Sequence, residues 1–191
     1  MEGIGMDVDL ADEWGVSYGL GADQYPILKN RITIPIWGYD TSVLMSIAGR
    51  AVLEDDTPKY WHAPWDRSRW LYGLWKIHEA KGERVVALCE GFNDTWAAWE
   101  MGLLSLSIMG SHMSPWQAAH VAGITDKAII IYDEDNYPQQ WINELSKFNV
   151  KAVAPKGLYP THVPHKSDPA WMFVNRREWL KNYISVAISQ F

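Results

Sequence analysis

Two short apolar runs in this chain end in carboxylates, and that pattern suits cation chemistry. Val85-Val86-Ala87-Leu88-Cys89 ends in Glu90-Gly91, with Asp94 close behind. Some forty residues on, Ala128-Ile129-Ile130-Ile131-Tyr132 ends in Asp133-Glu134-Asp135. Carboxylates that converge repel one another unless a cation lies among them. Magnesium fits such a place, because it takes oxygen ligands and commonly keeps one or two carboxylates beside substrate phosphates. Gly91 lets the backbone turn tightly and approach a ligand. The plainer alternative is that these are ordinary polar residues that cap strands and open helices.

The elements that must position these acids are legible around them. Both runs are short and rich in β-branched residues, which predicts fully buried strands of a parallel sheet. Thr95 to Met101, followed by Gly102, predicts a short helix with a glycine stop. Leu103 to Ile108 predicts another strand, before Gly110. The alternation of strands and helices predicts an open α/β sheet, in which ligands bind beyond the carboxyl ends of the strands.

The segment Glu90-Gly91-Phe92-Asn93-Asp94, the Met109-Gly110-Ser111 turn and the Asp133-Glu134-Asp135 triplet resemble the TOPRIM domain. That domain is shared by bacterial-type primases, topoisomerases and some nucleases. Four further blocks narrow the resemblance to the bacterial DnaG-type primase and its phage or mobile-element relatives. They are Asn30 to Ile36, Ala48-Gly49-Arg50, Thr57-Pro58-Lys59-Tyr60 and Arg69 to Leu74, in the family's order. The resemblance covers about residues 25 to 175. It implies an α/β fold: a TOPRIM-type, mostly parallel sheet flanked by helices, preceded by a small mixed α+β subdomain and closed by a C-terminal helix. The expected divisions are an acidic arm (1–24), a basic and aromatic subdomain (25–82), the TOPRIM domain (83–160) and a final loop and helix (161–191).

The same resemblance implies a function: metal-dependent synthesis of short RNA primers on single-stranded DNA during DNA replication. It makes Glu90, Asp133 and Asp135 the expected catalytic residues. Glu90 would act as metal ligand or acid/base helper, and Asp133 and Asp135 would hold a pair of Mg²⁺ or Mn²⁺ ions. Asp94 and Asp168 join them as expected metal-site residues. Arg31, Arg50, Lys59, Tyr60, Arg67 and Arg69 are the candidates for nucleotide or template, by phosphate contact or, at Tyr60, by stacking on a base. Ribonucleoside triphosphates and a single-stranded DNA template would be the substrates. A separate zinc-binding primase module and a replicative helicase would be partners, and the chain is expected to be one half of a split primase. Competing readings are a nuclease-type TOPRIM enzyme, against which the Pro58-Lys59-Tyr60 block argues, and a non-catalytic nucleic-acid-binding module.

Composition bounds these expectations. The single cysteine, Cys89, lies in a predicted buried strand and reads as a core residue; one cysteine cannot build a zinc cluster. No apolar run is long enough to span a membrane and no leader peptide is evident, so no membrane is expected. A cytoplasmic place, in a bacterial or phage-infected cell, is the expectation. The net charge of −6 is unusual for a nucleic-acid binder. Six acids lie before residue 24, in a segment without Lys or Arg, and the remaining 17 acids match 17 basic residues. The charge therefore neither supports nor excludes a nucleic-acid groove.

Other stretches carry simpler expectations. Asp9 to Trp14 predicts a short helix in a loosely attached arm. Ile32, Ile34 and Ile36 alternate along a strand, and Ser42 to Ile47 predicts a second, so that a hairpin presents Arg31 and Arg50 at its rims. From Tyr60 to Trp75 the chain interleaves six aromatic residues with His62, Arg67 and Arg69. Within it Trp70, Leu71, Leu74 and Trp75 recur at helical spacing and read as core. Pro115 to Ala122 predicts a helix, with His120 structural. Asn136-Tyr137-Pro138 stands where family members continue with an Ala-Gly pair, and this bears on the aim of Asp135. Gln139 to Phe148 predicts a helix and Val150 to Ala154 a strand. Trp171 to Phe191 predicts a closing helix with Trp179, Tyr183, Val186 and Ala187 inward. His162 and His165 are a weak signal for a metal.

Overall fold

Aliphatic and β-branched side chains dominate the segments that pair into sheets, and the chain builds two of them. The computed structural model describes residues 8–53, 57–79, 85–133, 137–156 and 169–191. The chain divides into two compact units, Met1–Asp66 and Arg67–Phe191.

The first unit is an antiparallel sheet of four strands, in the order β1-β2-β3-β4. These are β1 (Ser17–Tyr18), β2 (Arg31–Trp37), β3 (Leu44–Ala51) and β4 (Tyr60–His62). Ile34 and Ile36 of β2 are fully buried, as their alternation predicts. Pro35 sits opposite Ile47 in the middle of β2. It is tolerated there because β1 pairs only with Ile32 and Thr33 and makes no ladder bond at Pro35 to lose. The second strand of the hairpin runs further than Ser42–Ile47: β3 continues through Gly49 and Arg50, which pair with Thr33 and Ile32. A Cβ on Gly49 would lie 2.4 Å from Leu28 Cδ2 and 3.2 Å from Arg31 Cδ, so a larger residue there would displace those side chains.

The arm is not loose. Helix α1 (Val8–Glu13) and the residues after it bury Leu10, Ala11, Trp14 and Val16, and β1 joins the sheet. The acidic residues had pointed to solvent; the apolar ones between them decide the packing.

The second unit holds a parallel sheet in the order β6-β5-β7-β8. Its strands are β5 (Val85–Cys89), β6 (Leu104–Ser107), β7 (Lys127–Ile131) and β8 (Lys151–Val153). The connecting helices are α3 (Phe92–Glu100), α4 (Pro115–Ala122) and α5 (Gln139–Ser146), after α2 (Leu74–Glu79) and before α6 (Pro169–Asn175) and α7 (Arg177–Ile188). Val86, Leu88, Leu106, Ile129 and Ile130 are fully buried in the sheet. The chain runs from β5 to β6 on one side and then crosses to β7 on the other, so the strand order reverses at β5. Ligands of open α/β sheets gather at such a switch point, beyond the carboxyl ends.

Two helices differ from expectation. The helix predicted from Trp70 begins only at Leu74, because Tyr72 instead forms a two-bond antiparallel bridge with Ser107. Leu71, Leu74 and Trp75 are nonetheless buried. The closing helix is two helices, parted at Arg176, whose φ of −144° and ψ of 42° leave the helical region. Within α7, Tyr183 and Ala187 face inward as expected and Trp179 and Val186 do not. Leu180, Tyr183, Ile184 and Ala187 face the core, whereas Trp179 is 44% exposed and Val186 53%. Tyr183 donates its hydroxyl to Ile130 O at 3.2 Å. Among the described residues no helix is long and apolar enough to cross a membrane.

Candidate active site

Glu90 follows the last residue of β5, and Asp133 lies two residues past the end of β7. The two strands are neighbours, with Cys89 opposite Ile131, so both acids leave the sheet at the same end. The backbone of Glu90 is pinned from the other side. Its carbonyl accepts a bond from Ser107 Oγ at 2.7 Å and another from Gly110 N at 3.2 Å. Ser107 Oγ also accepts from Met109 N at 2.8 Å, which fixes the turn after β6. Met109 holds a φ of +57° in that turn, an uncommon conformation for a residue with a Cβ.

Asp94 lies in the first turn of α3 and is 6% exposed. Helix α3 starts at Phe92, earlier than predicted, with Gly91 as its cap. The Gly91 carbonyl accepts from Thr95 N at 3.3 Å and from Thr95 Oγ1 at 2.9 Å. A Cβ on Gly91 would sit 3.1 Å from Asp94 Oδ2, so a larger residue would crowd that carboxylate. Asp94 Oδ1 accepts from Ala170 N at 3.0 Å and so ties the start of α6 to α3.

Cys89 reports the field these acids create. Burial pushes its thiol well above the usual range, and Asp94, Asp133 and Glu90 all push it further the same way. The Thr95 hydroxyl opposes them, outweighing Asp133 or Glu90 taken singly but not burial or Asp94. The thiol therefore stays protonated, and Cys89 is the core residue expected. Three carboxylates acting on one buried atom make a region of negative potential with only oxygen donors. That donor set fits a hard divalent cation. Glu90 and Asp133 are the described acids at the strand ends that could hold it, while among the described residues no three His, Cys, Asp or Glu form a group that could hold a metal ion. Asp135 and Asp168 lie outside the described residues, as do His162 and His165.

Two tyrosines, one before the acidic triplet and one after it, anchor the chain. Tyr132 donates to Pro155 O and Tyr137 to Ala154 O, each at 3.2 Å, and the rings meet edge to face at 5.5 Å. Burial raises the pKa of Tyr132, with Tyr137 adding to it, so Tyr132 remains a neutral donor.

The basic candidates fall into two sets. In the first unit Arg31 is 4% exposed and donates to Pro58 O at 2.7 Å. It is no rim residue; its guanidinium is spent on holding the loop before β4. Arg50 pairs across the ladder with Tyr60, donating to the phenol oxygen at 3.1 Å with its guanidinium 5.6 Å from the ring centre. Lys59 is exposed, and its carbonyl accepts from Ala51 N. In the second unit Arg67 and Arg69 are exposed on a short 3-10 turn before α2. Helix α4 clasps that stretch. Gln117 Nε2 donates to Trp70 O at 2.9 Å and to Ile108 O at 2.8 Å, Ser114 Oγ donates to Ser68 O, and His120 Nε2 lies 3.1 Å from Arg69 O. His120 is structural, as expected. Ser107 and the Asp94–Ala170 tie escaped sequence reading. A hydroxyl inside an apolar strand was the signal for the first; nothing local announced the second.

The DNA primase of Listeria monocytogenes is 30% identical over 145 residues, which is 71% of this chain and 22% of that protein. The chain is a relative of the DnaG-type primase catalytic core. Among solved structures, the zinc-binding and RNA polymerase domains of the Aquifex aeolicus primase match with a TM-score of 0.74 at 22% identity, over 99% of this chain and 54% of that one. A DnaG primase catalytic domain bound to single-stranded DNA matches with a TM-score of 0.73 at 16% identity, over 97% of this chain and 69% of that one. No protein-family model matches the chain. The DnaG-type core thus has its parallel sheet here, flanked by helices as expected, while the chain spans about a fifth of the length of the curated relatives it matches.

Proposed function

We propose that this chain is the catalytic core of a primase, joining ribonucleotides on a single-stranded DNA template. The observation that carries the reading is the departure of Glu90 and Asp133 from neighbouring parallel strands at the switch point of a primase-type sheet. A divalent ion, Mg²⁺ or Mn²⁺, bound among the acids supplies neutralisation of the triphosphate and of the oxygens that attack and leave. Glu90 holds such an ion or assists proton transfer, and Asp133 and Asp135 are its carboxylate ligands. Asp94 positions: its bond to Ala170 N supports a role in bringing the Asp168-Pro169 segment to the same centre. Arg50, Lys59 and Tyr60 receive nucleotide or template, and Arg67 and Arg69 hold template phosphates.

A zinc-binding module encoded elsewhere and a replicative helicase are the partners this reading needs, in a bacterial or phage-infected cytoplasm. The zinc-binding domain beside the polymerase domain in the Aquifex structure supports the first. The test is primer synthesis on single-stranded DNA with labelled ribonucleotides and Mg²⁺ or Mn²⁺, with and without the zinc module. Metal-dependent oligoribonucleotides should appear with the wild type and vanish in Glu90→Gln and Asp133→Asn. Synthesis unaffected by both changes, or absent in every mixture, would sink the assignment.

A further inference from the structure

Trp116 stands apart from the fully buried tryptophans Trp14, Trp75, Trp96 and Trp141: it is 58% exposed, in the first turn of α4. A helix start needs no large apolar side chain; Ser114 already caps α4, and Gln117 completes a capping box with it. The Arg69 guanidinium lies 5.0 Å from the centre of the Trp116 ring, within reach of its π face. The pair is held by backbone on both sides, because Gln117, Ser114 and His120 of α4 or its cap bond the carbonyls of Trp70, Ser68 and Arg69. Arg69 is exposed beside the indole, and Arg67 is exposed on the same short turn. The platform belongs to the same end of the sheet as the acids, since Gly110, six residues before Trp116, donates to Glu90 O.

We propose that Trp116, backed by Arg69, is a stacking platform for a base of single-stranded nucleic acid. The inference rests on the primase reading and adds a residue to it. An indole offers a face to any base, and an arginine beside it meets the neighbouring phosphate; together they bind a single strand without reading its sequence. Interfaces between proteins also favour Trp and Arg, but they surround such residues with apolar neighbours that exclude water. Here the exposed indole is paired with an exposed arginine, with a second on the same turn, and those cations complement phosphate and favour nucleic acid.

The test separates base from backbone. Binding of the full chain is measured by fluorescence anisotropy with an oligothymidylate and with an abasic deoxyribose-phosphate strand of equal length. Trp116→Ala should weaken the oligothymidylate by about tenfold and leave the abasic strand unchanged, while Trp116→Phe should keep most of the affinity. A wild type that does not distinguish the two strands overturns the platform. So does a Trp116→Ala variant that binds oligothymidylate normally, or that loses both strands equally. Loss of zinc-module binding alone would reassign Trp116 to a protein interface and overturn it too. Primer synthesis with normal oligothymidylate binding by Trp116→Ala removes the platform and leaves the primase reading. A base-dependent loss in a chain that makes no primer does the reverse.

Discussion

A carboxylate among carboxylates weakens a fold until a cation joins it, and Asp133, Glu90 and Asp94 act together on Cys89. Removing one charge should therefore help the metal-free protein. Asp133→Asn is expected to raise stability in chelator by on the order of 1 kcal/mol, about 2–4 °C for a chain of this size. Mn²⁺ should raise the midpoint of the wild type and leave that of the variant where it was. Thermal unfolding with and without the metal checks both; a variant less stable in chelator would mean that Asp133 serves the fold. These three acids were legible because each follows an apolar run. The burial of Arg31 was not, since it depends on the Pro58 carbonyl 27 positions away.

Elements were legible where periodicity was uninterrupted. Helix α4 has the bounds its pattern predicts, and β5, β6 and β7 fall within a residue or two of theirs. At α7 the pattern placed Tyr183 and Ala187 correctly and misplaced Trp179 and Val186, which are exposed while Leu180 and Ile184 are buried. The corrected phase makes a sharp contrast. Leu180→Ala should cost roughly 2–5 kcal/mol, as a buried leucine does. Val186→Ala should stay within about 0.5 kcal/mol, as surface changes do. Urea midpoints for the two variants decide it, and equal losses would mean that Val186 is as buried as Leu180. Around α1 the acids pointed to a loose arm, and the burial of Leu10, Ala11 and Trp14 was not legible because it depends on the sheet they pack against.

Across the whole molecule the charge is −6, so attraction to nucleic acid rests on a few local cations. About three phosphate contacts would make single-strand affinity fall roughly 20-fold between 50 and 200 mM salt, from a slope of about 0.7 per contact. Titrations of oligothymidylate at several salt concentrations measure that slope. A slope near zero would show that Arg50, Lys59, Arg67 and Arg69 meet no phosphate. Sequence alone could not weigh this, because total charge hides which cations are exposed and which, like Arg31, are buried.

The two tyrosine hydroxyls that reach from either side of residues 134–136 to the end of β8 have a consequence for descent. Tyr132 and Tyr137 secure the flanks of the acidic triplet through their own side chains, at the carbonyls of Pro155 and Ala154. Both anchors lie outside residues 134–136, so the brace does not depend on which side chains stand between them. Mutations between the anchors are thereby screened from the sheet. A lineage with such a brace can explore new sequence beside its acids while inheriting the same architecture around them.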